Sequence, residues 1–155
     1  VRDRARRVFG ALDEGASRRA FERLRAPAAA ASGAAARGAA QFAAQCAVCH
    51  TFAGQGGRVG PDLSGIRNQP AEALLLHVVV PDYEITPGYE AYTAQTRDGR
   101  SLYGRLESET AGSVTLPDAT GTPHVVLRAD LATLTASPGS LMPSTFHEAL
   151  SAQDL

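Results

Sequence analysis

The chain has 155 residues, with 15 basic and 16 acidic side chains and a formal net charge of −1. That balance leaves no electrostatic footprint for nucleic acid, and no stretch is long and apolar enough to span a membrane. A hydrophobic content of 44% suffices for one compact domain with room for a small subdomain. Every basic residue is arginine, so any basic docking patch is an arginine patch.

Residues 1–25 read as helical. Val8, Phe9 and Leu12 recur at helical spacing, and Phe21 and Leu24 continue the pattern around a break near Gly15. Arg2, Arg4, Arg6 and Arg7 make the start basic, as a solvated helix face does. Pro27 through Ala36 is alanine-rich with Gly33 and reads as a linker. A boundary falls there, with residues 1–34 as an N-terminal helical extension or linker and 35–155 as the main domain. A second helix is predicted from Ala35 to Ala47, carrying Phe42. Thr51–Gly60 is loop, and its glycines let backbone approach a flat ligand closely. Pro70–Val80 reads as a short, strongly apolar helix with Pro70 near its first turn, and Pro81 and Pro87 then break the chain.

From Glu90 the pattern becomes strand-like. Ala91–Thr96 and Ser101–Glu107 flank Asp98-Gly99, a strong hairpin signal. Ser113–Leu116 and Pro123–Leu127 form a second pair around Asp118–Gly121. Arg128–Leu131 reads as one helical turn and Ala132–Ala136 as a last strand. Five short strands over residues 90–136 suggest a small SH3-like or Sm-like barrel, with Leu102, Leu106, Val114, Leu116, Val126 and Leu131 as its candidate core. Ser140–Phe146 is loop, and a last helix begins at Phe146.

The chemistry is concentrated in Cys46-Ala47-Val48-Cys49-His50, a C-x-x-C-H sequence that uses both cysteines of the chain. This is the attachment signature of a c-type haem. Two thiols separated by two residues reach the two vinyl groups along one edge of the macrocycle, and the adjoining imidazole reaches the iron from the proximal side. A thioredoxin-type pair needs a βαβ context, whereas helix-forming alanines surround this one. A structural zinc site needs a fourth ligand, and no second cluster follows at finger spacing. One covalent haem c with its iron is therefore the expected cofactor.

The surrounding residues resemble class I c-type cytochromes. Arg37-Gly38 with Phe42 and Cys46 is similar to the helix preceding the haem cysteines, and Val59-Gly60-Pro61-Asp62-Leu63-Ser64-Gly65 to the loop that follows them. Leu141-Met142-Pro143 is similar to the loop bearing the distal methionine. Residues 35–155 resemble most closely the planctomycete and verrucomicrobial haem-binding domain of multidomain dehydrogenase-like proteins. That likeness is carried by Thr86-Pro87-Gly88-Tyr89, Arg97-Asp98-Gly99-Arg100, Leu127-Arg128-Ala129-Asp130-Leu131 and Ser140-Leu141-Met142-Pro143. The resemblance implies a mainly α cytochrome c fold with an inserted small antiparallel β-subdomain. It implies an electron carrier in the periplasm or outside the cytoplasm, serving a dehydrogenase and a downstream acceptor, rather than an enzyme. Ordinary small cytochromes lack the strand-rich insert. Ser151–Leu155 looks like the opening of a C-terminal helix, and residues 1–34 lie outside the resemblance, as the tail of an upstream domain would. With no visible signal peptide, the chain reads as a mature form or an excised domain.

The resemblance also implies roles for single residues. His50 is the proximal iron ligand, and the Pro61 carbonyl accepts a hydrogen bond from its free ring N–H. Met142, the one methionine of the chain, is the distal ligand. His147 is the rival sixth ligand. His77 reads as a hydrogen-bonded core residue and His124 as solvent-facing. Arg67 and Tyr89 are candidates for hydrogen bonds to haem propionates. Two other readings remain: a sensory or enzymatic haem domain with an open sixth site, and an interaction module whose haem is structural.

Overall fold

The computed structural model describes residues 14–155. The helical readings around Val8, Phe9 and Leu12 and the basic start lie outside the described residues. Helix α1, Glu14–Ala30, runs through Pro27, and the chain before Glu14, where the expected break near Gly15 would begin, lies outside the described residues. The expected linker therefore shrinks to residues 31–34. Along α1, Ser17, Ala20, Phe21, Leu24 and Ala28 fall on one face at helical spacing, and Ala20 and Phe21 are buried. That face packs on the helix formed by Ala71–Val79.

Helix α2, Ala35–Gln41, continues as one π-helical turn, Phe42–Cys46. This corrects the single α-helix expected to Ala47. The wider turn is closed by the Ala47 N–H donating to the Phe42 carbonyl at 2.9 Å. Thr51–Phe52 (β1) and Gln55–Gly56 (β2) then form a small ribbon inside what the sequence suggested was plain loop. Helix α3, Ala71–Val79, begins just after Pro70, which has no N–H to leave unpaired. Its Leu75 and Val79, with Val80, meet Ala20 and Phe21 in one apolar cluster, against which Leu24, Leu76 and Leu155 also pack. The Arg25–Glu72 pair at 3.6 Å joins the same two helices at the surface, where such pairs contribute little. Among the described residues no helix is long and apolar enough to cross a membrane.

The insert holds six strands rather than five: β3 (Ala91–Thr96), β4 (Ser101–Arg105), β5 (Ser108–Glu109), β6 (Ser113–Pro117), β7 (Pro123–Leu127) and β8 (Leu131–Ala136). The predicted Ser101–Glu107 strand ends at Arg105, paired with β3, and the extra strand forms beyond it at Ser108–Glu109, paired with β6. Two antiparallel three-stranded sheets result, in the orders β4-β3-β8 and β5-β6-β7, and no closed barrel is found among the described residues. Gly104 is required where the sheets meet, because a Cβ there would collide with the Pro117 carbonyl. Asp98-Gly99 makes the expected hairpin, with Gly99 at φ +90°.

The sheets share a core of Ala94, Val114, Leu116, Val126 and Leu131, flanked by Tyr92, Leu102, Leu106 and Leu134. Period-2 alternation explains it. On β7 Val126 is buried, whereas Val125 and Leu127 face outward. The last helix, α4, spans only Phe146–Ala149 before the chain turns. Leu116 is 0% exposed, so Leu116→Ala should cost ~2–5 kcal/mol of stability. Val125→Ala should cost less than about 0.5 kcal/mol. Denaturant unfolding of both variants measures the difference.

Candidate functional site

The C-x-x-C-H motif begins at Cys46, the last residue of the π-helical turn, and occupies the bend after it. The Cys49 and His50 amides both donate to the Cys46 carbonyl, at 3.0 and 2.9 Å, folding the two thiols and the imidazole around one turn. Gly57 N–H donates to Ala47 O at 2.8 Å, and Gly60 N–H to Cys49 O at 2.8 Å, so the following loop wraps back onto the motif. Glycine is dictated here by space. Gly56, at φ +111°, and Gly57 lie against the carbonyls of His50 and Val48. A Cβ on Gly60 would fall 2.5 Å from Cε1 of the His50 ring. The imidazole therefore lies flat on bare backbone.

His50 Nδ1 sits 2.8 Å from the Pro61 carbonyl oxygen. A carbonyl only accepts, so Nδ1 carries the proton and Nε2 keeps its lone pair for a metal. Cys46 and Cys49 are free thiols, both half-buried. Burial raises both thiol pKa values, and the neighbouring Cys49 raises Cys46 further. Both therefore remain protonated at neutral pH. Two unpaired thiols beside an imidazole with a free nitrogen form the donor set that covalent haem c requires. The residues present fit the group.

The insert reaches this site. Cys49 Sγ donates to the carbonyl of Ala119 at 3.4 Å, in the turn between β6 and β7. That turn is built on Asp118. Its Oδ1 accepts from the Thr120 amide and hydroxyl at 2.8 and 2.6 Å and from the Thr122 amide at 3.1 Å. Its Oδ2 accepts from His124 Nε2 at 2.9 Å. His124 is thus half-buried and partnered rather than solvent-facing, because the turn bends back over the start of β7.

Met142 stands on a separate segment, the loop after β8, and is half-buried. Its N–H donates to Ser140 Oγ at 3.1 Å. His147 is almost buried on α4, and its Nδ1 has no partner. His77 departs from the core role expected of it: it is 44% exposed, beside Glu84 at 4.0 Å and edge-on to Tyr83. Its place near the end of the short α3 turns it out of the apolar cluster. Arg67 is exposed, and the half-buried Tyr89 ring carries the Arg105 guanidinium 5.1 Å above its centre. Sequence reasoning missed the Asp118 turn, since nothing in Asp118–Gly121 beyond a turn signal says what the turn touches. It also missed Asp82, whose Oδ1 accepts from the Ser140 amide.

Residues 35–101 match the family model described as Cytochrome c. The match covers the attachment motif, the glycine loop, α3 and the first strand of the insert. It supports a c-type cytochrome, and a cytochrome c domain carries covalently bound haem c with iron. Such a domain works in haem-based electron transfer and implies a redox partner. No curated protein matches the chain.

The Asp118 carboxyl is held well below the usual range, first by the Thr120 hydroxyl, then by His124. A carboxyl with a depressed folded-state pKa stabilises the fold fully above its ordinary pKa of about 4. That contribution is lost as the pH falls from there towards the folded-state value. Wild-type protein should therefore lose more stability between pH 6 and pH 3 than Asp118→Asn, as read by denaturant unfolding at each pH.

Proposed function

We propose that this chain is a monohaem c-type cytochrome domain that passes single electrons between a dehydrogenase and a downstream acceptor, in the periplasm or elsewhere outside the cytoplasm. The domain would span residues 35–155, with residues 1–34 as an extension, and belong to the planctomycete and verrucomicrobial branch. The observation that carries the reading is the His50–Pro61 bond, made directly after two free thiols at C-x-x-C spacing. Haem c, when bound, supplies a one-electron couple at its iron. Cys46 and Cys49 hold it by thioethers, His50 Nε2 ligates from the proximal side, and the Pro61 carbonyl fixes the imidazole. Met142 supplies the distal thioether. A Met/His pair raises the potential relative to His/His and leaves no vacant position, which favours electron transfer over catalysis. Two three-stranded antiparallel sheets around one shared core support an opened SH3-like or Sm-like arrangement for the insert. The unpartnered Nδ1 of His147 favours one second reading, in which His147 replaces Met142 as ligand.

Denaturation followed by acid–acetone extraction tests the attachment. The haem should stay with the polypeptide, whose mass should exceed that of the chain by one haem; quantitative release of free haem sinks the proposal. Met142→Ala should abolish the ferric long-wavelength sulfur-to-iron band, lower the potential and let ferrous protein bind carbon monoxide. An unchanged spectrum and potential in that variant, with loss of both in His147→Ala, would establish the second reading.

A further inference from the structure

The segment that leaves α3 and the loop that follows β8 meet at one side chain. Pro81 is buried, and the half-buried Asp82 next to it points its Oδ1 at the backbone N–H of Ser140, 2.6 Å away and 58 positions along the chain. Ser140 Oγ in turn accepts the N–H of Met142 at 3.1 Å. The Asp82 carboxylate also lies near β4. Burial, and after it the Asp82 charge, raises the Tyr103 phenol pKa. One acidic group, just past the end of α3, thus bonds the methionine loop and lies within electrostatic range of Tyr103 on the insert.

We propose that Asp82 is a positioning residue for the distal ligand: its carboxylate fixes Ser140, and Ser140 fixes the backbone of Met142. The inference rests on Met142 being the iron ligand. An N–H donor on a charged acceptor is among the stronger protein hydrogen bonds. Losing it leaves the methionine loop with a larger population of displaced arrangements. An exogenous base that competes with the thioether then binds in proportion to that population.

The test is an imidazole titration of the ferric holoprotein, following the sulfur-to-iron band. Asp82→Ala should bind imidazole at least about tenfold more tightly than wild type. Asp82→Asn keeps an oxygen acceptor in the same place and should restore much of the wild-type affinity. Ser140→Ala removes the second bond without touching the end of α3 and should also tighten imidazole binding. In all three variants the attachment of haem should be unchanged, and in Asp82→Ala amide exchange at Ser140 should accelerate. Wild-type imidazole affinity in Asp82→Ala, with the band lost in Met142→Ala, overturns the role of Asp82 and leaves methionine ligation standing. A band that survives Met142→Ala overturns both. Should Asp82→Ala fail to fold, an unchanged affinity in Ser140→Ala overturns the proposal by itself.

Discussion

The hydrogen bond from His50 to the Pro61 carbonyl is the constraint on which the site turns. It decides the tautomer, and with it which nitrogen is left for a metal. It also dictates much of the local sequence. For the carbonyl to reach the ring, residues 56–61 must fold back tightly over the motif, which is why Gly57 and Gly60 bond to Ala47 and Cys49 and why no side chain fits at either glycine. Proline at 61 gives up an amide that this path does not use. Backbone close to the ring leaves the imidazole little freedom to rotate, so the protein alone holds it in place.

Two separate cores flank this region. One is helical, between α1 and α3, and the other lies between the two sheets of the insert. Among the described residues, polar contacts link the two parts: Ala119 on Cys49, Asp82 on Ser140, Arg105 over Tyr89. The cores supply the non-directional free energy of burial, whereas these few directional contacts set how the β part sits on the haem-binding part. Single substitutions in the two groups should therefore separate stability from site geometry.

Much of this was legible in the sequence because it is local. The attachment motif, the Asp98-Gly99 hairpin and the period-2 core of Val114, Leu116 and Val126 each depend on neighbours a few residues away. Features set by distant partners were not legible. The π-helical turn is written in residues as helix-forming as those before it and differs in which carbonyls its amides bond, Ala47 to Phe42 among them. The end of β4 at Arg105 and the start of β5 at Ser108 reflect a change of partner, from β3 to β6. Pro27 marked a linker by composition, yet apolar packing of Ala20, Phe21 and Leu24 on α3 carries α1 past it. His124 looked exposed because alternation says which way a residue points, not what folds back over it.

The pairing of the insert's two ends has a consequence in chain entropy. Asp82 and Ser140 are 58 positions apart, and joining them through a flexible segment would carry the closure cost of a loop that long. Ser137 N–H instead bonds the Ala91 carbonyl at 2.8 Å, where β3 and β8 run side by side. Once the sheet has formed, only about a dozen residues remain free between the two partners, which reduces the closure cost by about 1.4 kcal/mol. The insert lengthens the chain between Asp82 and Ser140 while shortening the distance the chain has to search.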